Sequence, residues 1–308
     1  MSHVDDSEAT VADLRDLTAL YPETGQLSLT GLYLSQDLRK LTRNGGTFVY
    51  TNFITSLDGR IALPRTDSGQ LGVPQHTANP RDWRLLLELA APADALIVSG
   101  RYVRELARET AQALPPFGEG APADLREYRA ARGLAAQPVL VVVSGSLDLP
   151  ARALARLSGR HLIVATVDEA EADAPTQHAL HSLEIPVLRL GNARVEGARL
   201  LAALQQRGIA LAYSIAGPEV LHTLLQARVL DRIYLTTVLR ALAGHGYATL
   251  AHGPRLDPPY DFKLAALYLD RHGPDGIQQL LQVYDSVGLA DREGQSFSAS
   301  QRDNATAI

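Results

Sequence analysis

The chain has 308 residues, with 46% apolar and 20% charged residues, a formal net charge of -5 and a pI near 6.0. That composition predicts a soluble, cytoplasmic globular protein and gives no whole-molecule field for nucleic acid or an anionic membrane. There are no cysteines, which excludes disulfides, thiolate nucleophiles and Cys-ligated zinc.

Residues 1–46 read as an N-terminal helical extension. Leu14, Leu17 and Leu20 recur at helical spacing until Pro22, and the stretch before Gly45-Gly46 predicts a second short helix. Strands and helices then alternate. Residues 47–54 read as a buried strand, and 79–91 as a helix with Asn79 as N-cap and Pro80 in its first turn. A strand over 93–100 leads to a helix over 101–114 and a loop over 115–122. Strands follow over 138–145 and 161–166, then a helix over 175–183 and a short strand over 185–191. A helix over 196–208 precedes a strand over 209–217, a helix over 218–229 and a strand over 230–239. Residues 262–285 close the domain as a hairpin around Gly273-Pro274-Asp275-Gly276.

This order predicts an α/β domain over residues 47–286: a mostly parallel central sheet with helices on both faces and an antiparallel C-terminal hairpin. Residues 287–308 are polar and aperiodic and read as a flexible tail. The hairpin strands, FKLAALYLD and IQQLLQVYD, are apolar with few edge charges. An edge of that kind invites pairing, which predicts a homodimer; the competing arrangement has residues 8–40 folded over it.

In an open α/β sheet, ligands bind beyond the carboxyl ends of the parallel strands. Three predicted strand exits carry unusual residues. The first holds Asn52, Thr55, Ser56 and Asp58 in TNFITSLDG. The second is Ser99-Gly100-Arg101, leading into Val103. The third is Ala216-Gly217-Pro218, leading into Glu219 and Val220. A small residue before a helix lets backbone approach a ligand, and the helix N-terminus then presents free N–H groups to an anion. Arg101 adds a donor fork suited to phosphate. Neither the Rossmann fingerprint nor the Walker A pattern is present.

Together SLDGRIA, ADALIVSG and AGPEVLHTLL resemble the reductase of riboflavin biosynthesis, within the dihydrofolate reductase-like superfamily. VSGRYVREL and LDRIYLTTV resemble that superfamily's cofactor-side elements, as does ATVDEA. The resemblance covers most of residues 47–286, and LTALYP just upstream looks like the stand-alone members. It implies a dihydrofolate reductase-like fold, NADPH as cofactor, and reduction of a pyrimidine- or pterin-like small-molecule substrate. It places Asp58 at the reacting centre. Thr55, Ser99, Gly100, Arg101, Val103, Ser144, Thr166, Ala216, Gly217, Pro218, Glu219 and Val220 fall to the cofactor. Asn52, Ser56, Asp58 and His245 fall to the substrate. The chain departs from the family's pattern in the third turn, where Ala216 stands for a glycine, and after the second, where a substrate-binding segment is missing. Without cysteines, the zinc deaminase activity of the bifunctional members is not expected of these residues. A non-catalytic nucleotide-binding protein on the same fold is the alternative. No metal is expected, because the nine histidines form no ligand set at recognisable spacing. Trp83, at an apolar helix position, is expected in the core.

Overall fold

The structure, a computed structural model, describes residues 16–42, 46–66 and 68–288. Its elements run in chain order as β1 (Leu17–Tyr21), β2 (Gly25–Leu27), β3 (Phe48–Ser56), β4 (Leu63–Pro64), β5 (Leu71–Gly72), α1 (Pro80–Ala90), β6 (Ala95–Ser99), α2 (Gly100–Ala107), α3 (Ala123–Ala131) and β7 (Val139–Val143). They continue with α4 (Ala151–Arg156), β8 (Leu162–Thr166), α5 (Ala174–Ser182), β9 (Val187–Arg189), α6 (Gly197–Gln205), β10 (Leu211–Ser214), α7 (Pro218–Gln226), β11 (Arg232–Val238), β12 (Phe262–Asp270) and β13 (Gln279–Ser286).

The main sheet is ordered β2-β1-β12-β13-β11-β3-β10-β6-β7-β8-β9. Strands β11 through β9 in that order are parallel to their neighbours, while β13, β12, β1 and β2 are antiparallel. The predicted parallel sheet and closing hairpin are both present. The central strands are continuous apolar runs, such as Leu140, Val141 and Val142 at 0% exposure, as a sheet covered on both faces requires.

Crossover handedness places the helices. The steps β3→β6, β6→β7, β7→β8 and β8→β9 all move one way across the sheet, so right-handed connections put α1 to α5 on one face. The steps β9→β10 and β10→β11 move back, so α6 and α7 lie on the other. Strand β10 is therefore flanked on both sides, by β3 and β6, by strands whose helices leave to the opposite face. The two crevices at its carboxyl end are topological switch points, where α/β sheets bind ligands.

The N-terminal region differs from its predicted form. Residues 1–15, and with them Leu14, lie outside the described residues. Residues 17–21 form a strand, not a helix, with Leu17 and Ala19 buried and Leu20 and Tyr21 exposed. The cause is an unsatisfied neighbour: β12 has a free edge, and β1 pairs along it in antiparallel register, Thr18 opposite Leu269. The predicted second helix is two short 3-10 turns, Leu34–Gln36 and Leu38–Leu41, broken at Asp37 with φ of 42°. Leu29, Leu32, Tyr33 and Leu38 are buried in the main core, so this segment belongs to the domain and is not an appendage to it. The hairpin edge that predicted a homodimer is covered by the chain's own N-terminal strand, and the dimer argument from that edge falls.

Other boundaries shift. Helix α2 ends at Ala107, short of the predicted Leu114, and Glu109 follows with φ of 61°. Helices α3 and α4 fill stretches in which no element was predicted. The tail from residue 289 onward lies outside the described residues.

Candidate active site

Asp58 is held at the end of β3 by its own turn. The Ser56 hydroxyl donates to its carboxylate at 2.5 Å, and the backbone N–H groups of Leu242 and Ala243 donate at 3.1 and 2.7 Å. Arg60 Nε lies 3.4 Å away. The Ser56 hydroxyl first, then the Leu242 amide, hold the Asp58 carboxyl well below the usual carboxylate range. It is an ionised acceptor with its lone pairs engaged. It pins the loop that follows β11 against the β3 turn, and it has no proton to donate at neutral pH. Gly59 has φ of +82°, and a Cβ there would meet no atom within 4 Å; the turn needs glycine for its backbone, not for space. The pinned loop carries His245, which is exposed.

A second acid is better placed for proton chemistry. Asp82 lies in the first turn of α1, is 8% exposed, and accepts a hydrogen bond from the Thr236 side chain of β11. Burial pushes its carboxyl up to about 6. Thr236 is in register with Ile54 of β3, so Asp82 sits over the β3–β11 seam near the strand carboxyl ends. Asn52, two residues earlier on the same face of β3, accepts from the Tyr213 hydroxyl at 2.6 Å. The Asp82 charge also raises the phenols of Tyr33 and Tyr213, after their own burial.

Helix α1 buries charges alongside its apolar face of Leu85, Leu89 and Ala90. It buries Arg81, Asp82 and Glu88 and leaves Trp83 36% exposed, so the core position expected for Trp83 is incorrect. Arg81 pairs with fully buried Asp270 at 2.7 Å, and Gln279 donates to the same carboxylate at 2.9 Å. Asn79 caps the helix by accepting from the Asp82 N–H and donates to Gln279 at 3.1 Å. Glu88 accepts from Gly31 N, Tyr33 N and Arg84 Nε. Sequence reasoning missed Asp82 because its buried partner is remote. The available signal was three charged residues, Arg81, Asp82 and Glu88, on the inner side of a capped helix.

The second and third turns lie at the carboxyl ends of β6 and β10, on either side of one switch point. Ser99 is the N-cap of α2 and makes no side-chain capping bond. A Cβ on Gly100 would come within 2.6 Å of Ser144 Oγ, so the helix start is cradled against the end of β7. Ser144 Oγ and Thr166 Oγ1 are buried without a hydrogen-bond partner among the described residues. Two adjacent orphan hydroxyls at strand carboxyl ends fit a polar ligand lying across them. Arg101 is half-exposed, pairs with Glu105 at 2.6 Å and donates to Leu71 O at 2.5 Å. Gly217 is the N-cap of α7 and would accommodate a Cβ in open space. Glu219 is exposed in that first turn and Pro218 supplies no N–H, so α7 opens less favourably to an anion than α2. Ala216 is buried at the turn. Val103 and Val220 are buried in the core cluster, so their side chains do not face the crevice. The Thr55 hydroxyl is buried and bonded to Ser56 O. Among the described residues there is no cluster of metal-ligating side chains and no helix long and apolar enough to cross a membrane.

A model of the RibD C-terminal domain matches residues 47–258. No curated protein matches the chain. Among solved structures, a pyrimidine reductase-like protein from Corynebacterium diphtheriae aligns with a TM-score of 0.58 at 19% identity, over 78% of this chain and 92% of that one. Acinetobacter baumannii RibD aligns at 0.52 and 17%, over 79% of this chain and 59% of its own length. The riboflavin biosynthesis reductase Rib7 of Saccharomyces cerevisiae aligns at 0.50 and 14%, over 82% and 99%. With the matched span covering more than half of its length, the chain belongs to the RibD C-terminal domain family and is an oxidoreductase.

Proposed function

We propose that the chain is an NADPH-dependent reductase of a pyrimidine- or pterin-like substrate, akin to 5-amino-6-(5-phosphoribosylamino)uracil reductase. The observation that carries this reading is Asp82, a buried carboxyl held near neutrality over the β3–β11 seam beside a switch-point crevice. When bound, NADPH would supply the hydride. Ser99, Gly100, Ser144 and Thr166 would hold its phosphate and adenosine side, with Arg101 reaching the extra phosphate by leaving Glu105. Asp82, whose carboxyl takes up its proton near pH 6, would deliver that proton to the reduced group, with Thr236 fixing its orientation. Asn52 presents its amide to a heterocycle, oriented by the Tyr213 hydroxyl. Asp58 keeps the His245 loop at the rim of the site and so acts by positioning.

The test is NADPH oxidation against a panel of ribosylaminopyrimidine phosphates and dihydropterins, with wild type and Asp82→Asn. Turnover of one class that falls about 10²–10⁴-fold in the variant is expected. NADPH binding without turnover of any member would favour the non-catalytic nucleotide-binding reading. Equal turnover in the variant would remove Asp82 from the chemistry.

A further inference from the structure

One partly enclosed cavity lies away from the strand carboxyl ends. It has a volume of about 230 Å³ and lies where the C-terminal turn of α1 meets α3 and the loop of Pro115, Pro116 and Phe117. Helices that follow strands in such a sheet run back toward the strand amino ends, so this cavity is at the opposite end of α1 from Asp82. Nothing in the reductase reading uses it.

Its lining is apolar except for two cations. Leu87, Ala121 and Leu125 are buried in its wall, and the only charged lining residues are Arg126 and Arg129. No carboxylate lines it, and neither arginine makes an ion pair among the described residues. Arg129 is 5% exposed. It donates to the carbonyls of Ala91 and Ala93 at 2.7 and 2.9 Å, and through Nε and Nη2 to Ala135 O. One Nη2 hydrogen is left over, because a guanidinium has five. Burial pulls the Arg129 guanidinium below its ordinary value, with the Asp94 charge opposing that shift. Arg126 spends only Nη1, on Glu119 O and Ala121 O at 3.2 and 2.5 Å. Its Nε and Nη2 have no partner among the described residues. The carboxyl end of α1 contributes roughly half a negative charge, which two guanidinium charges more than offset. The site is an apolar chamber whose charged lining side chains are both guanidinium groups.

We infer that this cavity binds a small amphipathic carboxylate: a body the size of a benzene ring or a short alkyl chain, with one carboxylate on Arg126 and the spare Arg129 hydrogen. The size fits, since an apolar protein cavity of about 150 Å³ already takes benzene. The charge fits, since a carboxylate matches a guanidinium fork. A neutral hydrocarbon would fill the chamber but leave the Nε and Nη2 donors of Arg126 unused.

Benzoate is the probe and benzamide its neutral control, titrated into the full chain by calorimetry and followed by saturation-transfer NMR. One saturable site with a Kd of about 1 mM or tighter is expected, with benzamide at least about tenfold weaker, as loss of a charge-assisted contact requires. Arg126→Ala, at an exposed helix position, should fold as wild type and weaken benzoate about tenfold while leaving benzamide unchanged. Ala121→Phe should fill the chamber and abolish both. NADPH affinity, read in parallel, should be the same in all three proteins, so that this proposal and the reductase reading fail separately. Absence of saturation, equal binding of benzoate and benzamide, or benzoate binding that survives both substitutions would each overturn the inference.

Discussion

The two halves of the sheet differ in how the polar groups along their strands are satisfied. Around β3, β11, β12 and β13 the chain pairs its own charges. Arg81 meets Asp270, Arg232 meets Asp285 at 2.5 Å, Asn52 meets Tyr213, and the Asp231 carboxylate takes the Val49 N–H at 2.7 Å. Around β6, β7 and β8 the interior is Val and Leu, and the polar atoms at the strand ends, Ser144 Oγ and Thr166 Oγ1, have no partner among the described residues. The first half is preorganised by internal charge and suits a reacting group that needs fixed protons and acceptors. The second offers small residues, hydroxyls and a helix start, which suit a cofactor recognised along its backbone.

The contrast breaks most sharply at the buried ion pair. Asp270→Ala leaves Arg81 without its carboxylate in a buried site, and should cost about 3–5 kcal/mol in denaturant unfolding. A cost below about 1 kcal/mol would mean that the first half is not held by charge pairing. Joint replacement by Arg81→Met and Asp270→Leu should recover most of the loss, because it removes both desolvation costs.

Asp82 gives the next effect, and its sign separates chemistry from architecture. Its folded-state value of about 6 lies above the ordinary 3.8, so the folded chain binds the extra proton between those values. Its contribution to stability is therefore lost as pH rises from about 4 through 6 and stays lost above. Asp82→Asn should remove that loss, leaving the variant more stable than wild type by up to about 3 kcal/mol at pH 8 and little changed near pH 4. Higher stability joined to lower turnover is the signature of a functional group kept at a cost. A variant less stable than wild type at both pH values would make Asp82 a structural residue.

Opening the covered edge acts on oligomeric state. A chain beginning at residue 28 lacks β1 and β2 and exposes β12, so light scattering should show self-association where the full chain shows none. A full-length dimer would mean that another surface pairs.

In the second half the effects are smaller. Ser144→Ala should weaken NADPH about tenfold and leave stability within about 0.5 kcal/mol, since no hydrogen bond to a described residue is lost. Unchanged affinity would detach the orphan hydroxyl from the cofactor. Arg101→Ala should narrow the preference for NADPH over NADH by only about threefold to tenfold, because the wild-type side chain must first leave Glu105. Equal affinities of wild type for the two cofactors, by calorimetry, would end the assignment.

What is legible in the sequence divides along the same line. Strand β3, the Asn79–Pro80 helix start and the three crevice turns follow local rules of alternation, capping and small residues, and each lies where those rules put it. The features that escape a sequence reading are non-local. Arg81 and Asp270 are 189 residues apart in the chain, and the partners of the other inward charges of α1, Thr236 for Asp82 and Gly31 and Tyr33 for Glu88, are also remote. Strand β1 reads as a helix by its leucine spacing, until the edge of β12 outweighs local preference. Asp58 is legible as the acid of a strand-end turn, but not its bonds to Leu242 and Ala243, 184 and 185 residues on.

The Glu88 staple has a consequence for what counts as one unit of this protein. Glu88 is 0% exposed, and two of its three hydrogen-bond donors, Gly31 N and Tyr33 N, precede the family-matched span of 47–258. Strands β12 and β13, which hold Arg81 in place, lie after that span. Residues on both sides of the matched span thus supply contacts that hold α1. Transplanting residues 47–258 alone would carry the inheritance without the scaffold that keeps the Asp82 helix in register. Sequence on both sides of the matched span therefore helps to hold the helix that carries Asp82.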